Sequence, residues 1–169
     1  MIPISESIIS SHSFKFALIQ SCDCHFIAEG FKQLSPASIY NRFHSVKSKL
    51  TNDELSFFSD IDLKNHFAIG VIEKVKEKYQ GVGVVRCIRD TKDPTEAEVA
   101  ITVIDSYHNL GLGTRLYTEI IKTAKEHGIK TLTQSVLSHN SSMIRLLDKF
   151  HARNIQKFHN TYIYTIQTS

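Results

Sequence analysis

The sequence predicts a mixed α/β domain, built as a mainly antiparallel sheet flanked by helices. Two observations predict it. Hydrophobic residues recur alternately with the extended period of two and with the helical period of about 3.6, and the extended segments 66–75, 82–89 and 98–104 follow one another closely enough to pair antiparallel. The length of 169 residues fits one domain, 1–169, and is enough to bury a core without disulfide or metal staples.

In chain order, Phe14, Phe16 and Leu18 alternate with Lys15 and predict a first strand. Asp23 offers an N-cap to a helix with Phe26, Ile27, Phe31 and Leu34 on one side. Ser35-Pro36 restarts the chain: serine caps, proline takes the first helical position, and Ile39, Tyr40, Phe43 and Val46 recur with helical period. Asn52-Asp53-Glu54 reads as a third capped start, with Leu55, Phe57 and Phe58 facing inward. The segments 66–75 and 82–89 predict a hairpin turning at Tyr79-Gln80-Gly81, and a polar loop with Asp93-Pro94 leads to a strand from Glu98 to Ile104.

Gly111 opens the most regular helix, with Leu112, Leu116, Ile120, Ile121 and Ala124 on one face and Gly128 at its stop. A strand over 130–137, a helix over 140–150, and two strands within 154–167 turning near His159-Asn160 complete the pattern. No internal repeat or linker interrupts it.

Hydrophobic residues at 41% and charged residues at 22% are ordinary for a soluble globular chain and argue against disorder. The net charge of +3 comes with lysines spread along the chain, apart from Lys74, Lys76 and Lys78. A dedicated nucleic-acid binder shows a denser basic patch, whereas a phosphate-bearing cofactor fits this balance. Cys22, Cys24 and Cys87 leave an odd count, which favours a reducing compartment. Cys22, Cys24 and His25 lack a second half at zinc-site spacing, so they read as structural thiols and no metal is expected. The sequence shows neither a secretory leader nor an apolar run of membrane-spanning length, so a cytoplasmic protein without a membrane partner is expected.

The chemistry concentrates at Tyr107-His108-Asn109-Leu110-Gly111-Leu112-Gly113-Thr114, between a strand and an amphipathic helix. A helix N-terminus presents unpaired backbone N–H groups and the positive end of its dipole, so phosphate binds where side chains do not obstruct its approach. Gly111 and Gly113 remove that obstruction, although two turn glycines alone would look the same. A dinucleotide fingerprint fails because Leu116 stands where the third glycine belongs. A P-loop fails because no lysine precedes Thr114.

The run His108-Asn109-Leu110-Gly111-Leu112-Gly113 resembles the pyrophosphate-binding loop of the GNAT superfamily of acyl-CoA-dependent N-acyltransferases, with His108 in place of the family's Gln or Arg. Histidine still donates to phosphate, with a charge that depends on pH. Asn140-Ser141-Ser142-Met143, with Leu146, Leu147 and Lys149, resembles the family's next segment, whose asparagine contacts the cofactor; His151-Ala152 stands where that helix usually closes with Gly-Phe. Gln33-Leu34-Ser35-Pro36, Tyr40, Arg42-Phe43, Leu50-Thr51, Glu54-Leu55, Ile61-Asp62 and Ala68 resemble the bacterial protein-lysine acetyltransferases of the Pat type, and the likeness covers about residues 14–167. Such domains are often fused to cyclic-nucleotide-binding or acyl-CoA-synthetase-like modules; no such module fits in this chain, so that regulation is not expected.

The resemblance implies a GNAT fold, acetyl-CoA as co-substrate, and a protein lysine as acceptor. Residues 107–114 and Asn140 would hold the cofactor's polar groups, and backbone groups of Ile101 and Val103 would pair with its pantetheine arm like an added strand. Glu98, in Ala97-Glu98-Val99-Ala100, matches the glutamate that serves the Pat-type branch as general base. Strand alternation supports that role: Glu98, Ala100 and Thr102 share one face, and the small residues clear a path for the carboxylate. A solvent-facing glutamate is the bland alternative. His108, His139 and Cys87 are weaker candidates for proton transfer or acyl carriage, and Leu147 stands where many relatives place a tyrosine acid. Two other functions stay open: a small-amine acetyltransferase, and a coenzyme A-binding sensor with little turnover.

Overall fold

The computed structural model describes residues 1–9 and 12–168. Strands β1 (Ile2–Ile9) and β2 (His12–Leu18) lead to three short helices, α1 (Cys24–Lys32), α2 (Pro36–Phe43) and α3 (Asn52–Ser59). Strands β3 (His66–Val75), β4 (Lys78–Arg89) and β5 (Glu96–Val103) precede α4 (Leu112–Glu126), β6 (Thr131–Leu137), α5 (Ser141–Lys149), β7 (Arg153–Phe158) and β8 (Thr161–Gln167). Together they form one sheet of order β1-β2-β3-β4-β5-β6-β8-β7. The expected class holds: every pairing is antiparallel except β5 with β6.

That parallel pairing positions the site. It consists of Glu96 with Thr131, Ala97 with Leu132 and Glu98 with Thr133, and the register ends there. Beyond Glu98 the two strands part, opening the sheet at its centre. Residues directly opposed in a ladder share a face. Thus His66, Ile88 and Glu98 lie on one side with Ala68, Arg86 and Ala100, and with Gly70, Val84 and Thr102. The opposite side carries Phe67, Val85, Cys87 and Val99, buried in a common core with Leu112, Leu116 and Ile120 of α4.

Local chemistry explains most boundaries. Ser35 caps α2 by accepting from the Ser38 N–H at 3.2 Å, with Pro36 at the first position. The α2 helix ends at Phe43 because His44 turns left-handed, so Val46 is not on its apolar face but 92% exposed. Thr51, rather than Asn52, caps α3, and Glu54 returns the bond in a capping box. Phe57 is exposed rather than inward, and its ring packs on Phe58 and His66. Asp23 precedes α1 without capping it; its carboxylate accepts instead from the Gln20 N–H at 2.9 Å. Leu34 lies beyond the end of α1. The α4 stop is a Schellman turn: Gly128 is left-handed and donates to Lys125 O, and Ile129 donates to Ala124 O.

Two extended segments differ from expectation. The first strand is β1, with β2 inside it, because Pro3 and the serines mask the strand pattern of Ile2–Ile9 at the sheet edge, where proline is tolerated. The β3–β4 hairpin turns at Lys76-Glu77, and Tyr79–Gly81 belong to β4. A bulge interrupts the alternation of β4 before the turn: Val71 pairs with Gly83 and Ile72 with Gly81, leaving Val82 as the extra residue, fully buried.

Candidate active site

The parted strands and two helix N-termini enclose a cleft of about 2030 Å³, including space open to solvent. Glu98, Ile101, Val103, His108, Asn109, Gly111, Leu112, Gly113, Thr114 and Asn140 all line it. Leu110 is the one sequence-predicted site residue outside this lining; it is partly buried and packs against the core.

The backbone of β5 explains the cleft's floor. Ile104 donates its N–H to Val82 O, toward β4. Strand alternation then turns the N–H and C=O groups of Ile101 and Val103 the other way, toward the side β6 has left. Among the described residues no strand pairs with this edge, although the Val103 C=O on it accepts from the His108 ring.

The loop before α4 is shaped by two left-handed residues, Asn109 with φ 65° and Gly111 with φ 78°. They aim the first turn of α4 into the cleft, where no side chain caps its N–H groups and no acidic residue occupies the turn. Gly111 and Gly113 serve different needs. A Cβ at Gly111 would meet nothing within 4 Å, so its backbone conformation is what requires glycine, whereas a Cβ at Gly113 would lie 3.3 Å from Leu146 Cδ2 of α5. His108 does not reach along the cleft: its Nε2–H donates to Val103 O at 2.9 Å, closing the loop onto the end of β5.

Two networks hold this loop. Asp105 accepts from the Ser35 N–H and from the Ser35 and Ser38 hydroxyls at 2.9, 2.6 and 2.9 Å. Burial opposes its charge, but these bonds outweigh it and keep the carboxyl below its ordinary pKa. They fasten α2 to the loop. Tyr107 donates to Glu73 and accepts from Gln80 Nε2 at 2.6 Å, and burial with Glu73 beside it pushes its hydroxyl up to about 12.

On the opposite wall, Glu98 is exposed to the cleft and faces the C-terminal end of α2. Burial lowers the Arg42 pKa and Glu98 partly offsets this. His44 is pushed below its ordinary value by burial and by Arg42, with Glu98 opposing. The sequence reading passed over Arg42 and His44 as cleft residues because no periodicity places the end of α2 beside β5. It also missed Gln134 on β6, which is 8% exposed, lines the cleft, and leaves its Oε1 without a partner. A buried carbonyl oxygen without a donor is costly, and this one is sealed beneath the cleft surface. The strand edge left by β6 and the uncapped helix N–H groups suit a coenzyme A arm and pyrophosphate.

The remaining candidates are held by contacts of their own. Asn140 Oδ1 accepts from the Met143 N–H at 3.1 Å and caps α5, leaving its amide NH2 for a ligand. His139 stacks on Tyr40. Cys87 is core, and burial pushes its thiol up to about 12. Leu147 is fully buried. Cys22 and Cys24 are exposed rather than packed, which removes the structural role expected of them.

A family model described as the acetyltransferase (GNAT) family matches residues 36–152. The acetyltransferase Pat of Mycolicibacterium smegmatis is 27% identical over 150 residues, which cover 89% of this chain and 44% of that protein. The chain thus spans less than half the length of that relative. Among solved structures, the GNAT domain of S. lividans PAT superposes with a TM-score of 0.88 at 20% identity, covering 96% of each chain. A cAMP-binding acyltransferase from Mycobacterium smegmatis gives 0.68 at 23% identity, covering 99% of this chain and 47% of that one. The yncA protein of Salmonella typhimurium, solved with its cofactor acetyl-CoA, gives 0.69 at 16% identity, covering 92% and 94%. At these identities the structures speak to the fold.

Proposed function

Because this chain belongs to the acetyltransferase (GNAT) family and is an N-acetyltransferase by that membership, we propose that it transfers acetyl from acetyl-CoA to a lysine side chain of a protein, with Glu98 as general base. The observation that carries the reading is the parting of β5 and β6 at Glu98. It puts a carboxylate at the apex of a cleft whose walls suit coenzyme A. The acyl-transfer unit is the single domain, 1–169.

The residues divide the work. The uncapped N–H groups of Gly111, Leu112, Gly113 and Thr114 bind pyrophosphate, with Asn109, Leu110 and His108 shaping the loop that presents them. Ile101 offers its N–H and C=O and Val103 its N–H to the pantetheine amides, and Asn140 offers its NH2. A lysine ammonium ionises near pH 10.4 and must lose a proton before it attacks. Glu98 takes that proton, directly or through one water. The amine nitrogen then bonds to the thioester carbonyl carbon, a backbone N–H steadies the oxyanion, and the carbon–sulfur bond breaks. The nitrogen gives up its second proton and the sulfur leaves as thiolate, which takes a proton from solvent. Leu147 fills the position where many relatives place a tyrosine acid, Tyr107 is engaged by Glu73, and Tyr117 is buried in the core.

Incubation with acetyl-CoA and cell lysate, followed by mapping of acetylated lysines by mass spectrometry, tests the acceptor. Marked protein lysines are expected, and coenzyme A release without marked protein would move the assignment to a small amine. Glu98→Gln is expected to lower kcat by about 10²-fold or more while cofactor affinity persists. An unchanged rate would remove Glu98 from the mechanism.

A further inference from the structure

Beneath α1, α2 and α3 lies a second space of about 690 Å³, part of it open to solvent, floored by Gly70, Ala100 and Thr102 on the face that carries Glu98. It shares Arg42, Phe43, Ala100 and Thr102 with the cofactor cleft, so the two communicate. The small floor residues explain why room remains between sheet and helices. Its walls are apolar, with Phe31, Phe43 and Phe58 from the three helices.

Two guanidinium groups, Arg42 and Arg86, line this apolar chamber. Arg86 is 3% exposed. Its partners are neutral: Phe58 O at 3.3 Å, His66 Nε2 at 2.9 Å, and the face of the Phe58 ring at 4.5 Å. Among the described residues, neither arginine is within ion-pair distance of a carboxylate. A buried cation without a counter-charge is expensive. Arg42 raises that cost: burial brings Arg86 down to about 9, and the charge of Arg42 adds to the shift. The nearest compensation for Arg42 is Glu98, across the mouth of the chamber.

We infer that the chamber takes a carboxylate-bearing substrate group, held by Arg42 and Arg86 with its carbon chain against the phenylalanines. The shared chemistry is a carboxylate within a few bonds of the reacting centre. It comes either from the far end of a short dicarboxylic acyl thioester, taken as a donor besides acetyl-CoA, or from an acidic group on the acceptor beside the reacting amine. Guanidinium suits this task because its planar fork matches a carboxylate, and desolvation strengthens the pair. Weaker binding of an uncharged analogue follows, since that analogue would leave the buried Arg86 cation without a counter-charge.

The inference rests on the coenzyme A reading of the adjoining cleft, and calorimetry on the whole chain separates the two. Coenzyme A alone is titrated first, then succinyl-CoA against butyryl-CoA, and then lysine against lysinamide on the coenzyme A-saturated protein. The carboxylate member of one pair is expected to bind about ten-fold or more tightly, and which pair shows it identifies the source. Arg42→Met is expected to bring that ratio to within about two-fold of parity. Because Arg86 also anchors α3, the wild-type ratio and the Arg42 variant carry the test without it. Coenzyme A binding with parity in both pairs overturns the inference and leaves the cofactor reading intact. No binding of coenzyme A overturns both.

Discussion

Gly111 shows how a single residue carries two meanings that only coordinates separate. Its pairing with Gly113 suggested one shared purpose, clearance for phosphate. In the structure Gly111 has φ 78° and open space around its Cβ position, while the Gly113 Cβ would press on Leu146. Gly111→Ala is therefore expected to cost about 1–2 kcal/mol through the left-handed backbone alone, measurable as a lower urea midpoint. A variant as stable as the parent would mean the loop has another conformation of equal energy. His108 carries a related lesson. Its identity suggested a phosphate donor, yet its ring closes on Val103 O, a bond between loop and strand that no spacing rule anticipates.

At the scale of elements, the end of α5 replaces a missing glycine by accepting strain. His151 takes the left-handed position, with φ 54°, and donates its N–H to Asp148 O, while Ala152 donates to Leu147 O. The turn made elsewhere with Gly is kept, at the steric cost of a Cβ. His151→Gly is expected to stabilise the fold by up to about 1 kcal/mol, read as a Tm rise of a few degrees. An unchanged or lower Tm would show that the side chain repays the strain. Caps and stops were legible in the sequence where their chemistry is local: Ser35-Pro36 and Gly128 behave as read. The hairpin turn was misplaced by three residues because the Val82 bulge is a property of two strands together. Edge strand β1 was missed for the same reason, since its pattern makes sense only beside β2.

Across the whole molecule, the buried group most exposed to acid is His66. Burial, and then Arg86 beside it, lower its pKa to about 4, with Asp62 and Asp60 opposing. The unfolded chain binds a proton near pH 6.5 that the folded chain refuses until about 4. Between those values the unfolded state binds more protons, so stability falls as pH falls. The expected loss is on the order of 1–3 kcal/mol across that window. Denaturation at stepped pH measures it, and His66→Gln should flatten the slope between pH 6.5 and 4. A slope that survives in the variant would assign the acid sensitivity to other groups. Arg86, which contacts His66 within the sheet, ties α3 to the sheet by donating to Phe58 O, so acid should loosen the wall of the arginine-lined chamber first.

The sequence by itself determined the fold class, the helix from Leu112, the glycine loop and the alternation that sets Glu98 beside Ala100 and Thr102. These rest on neighbours within a few residues, which periodicity and turn chemistry report directly. Only the tertiary structure decided that β5 and β6 part at Glu98, that Arg42 and His44 lie near it at the end of α2, that Gln134 lines the cleft from β6, and that Arg42 and Arg86 share one chamber. The physical reason is distance along the chain. These residues meet through strand register and helix docking, and the free energies of burial and unpaired charge that give them meaning exist only once the segments have met.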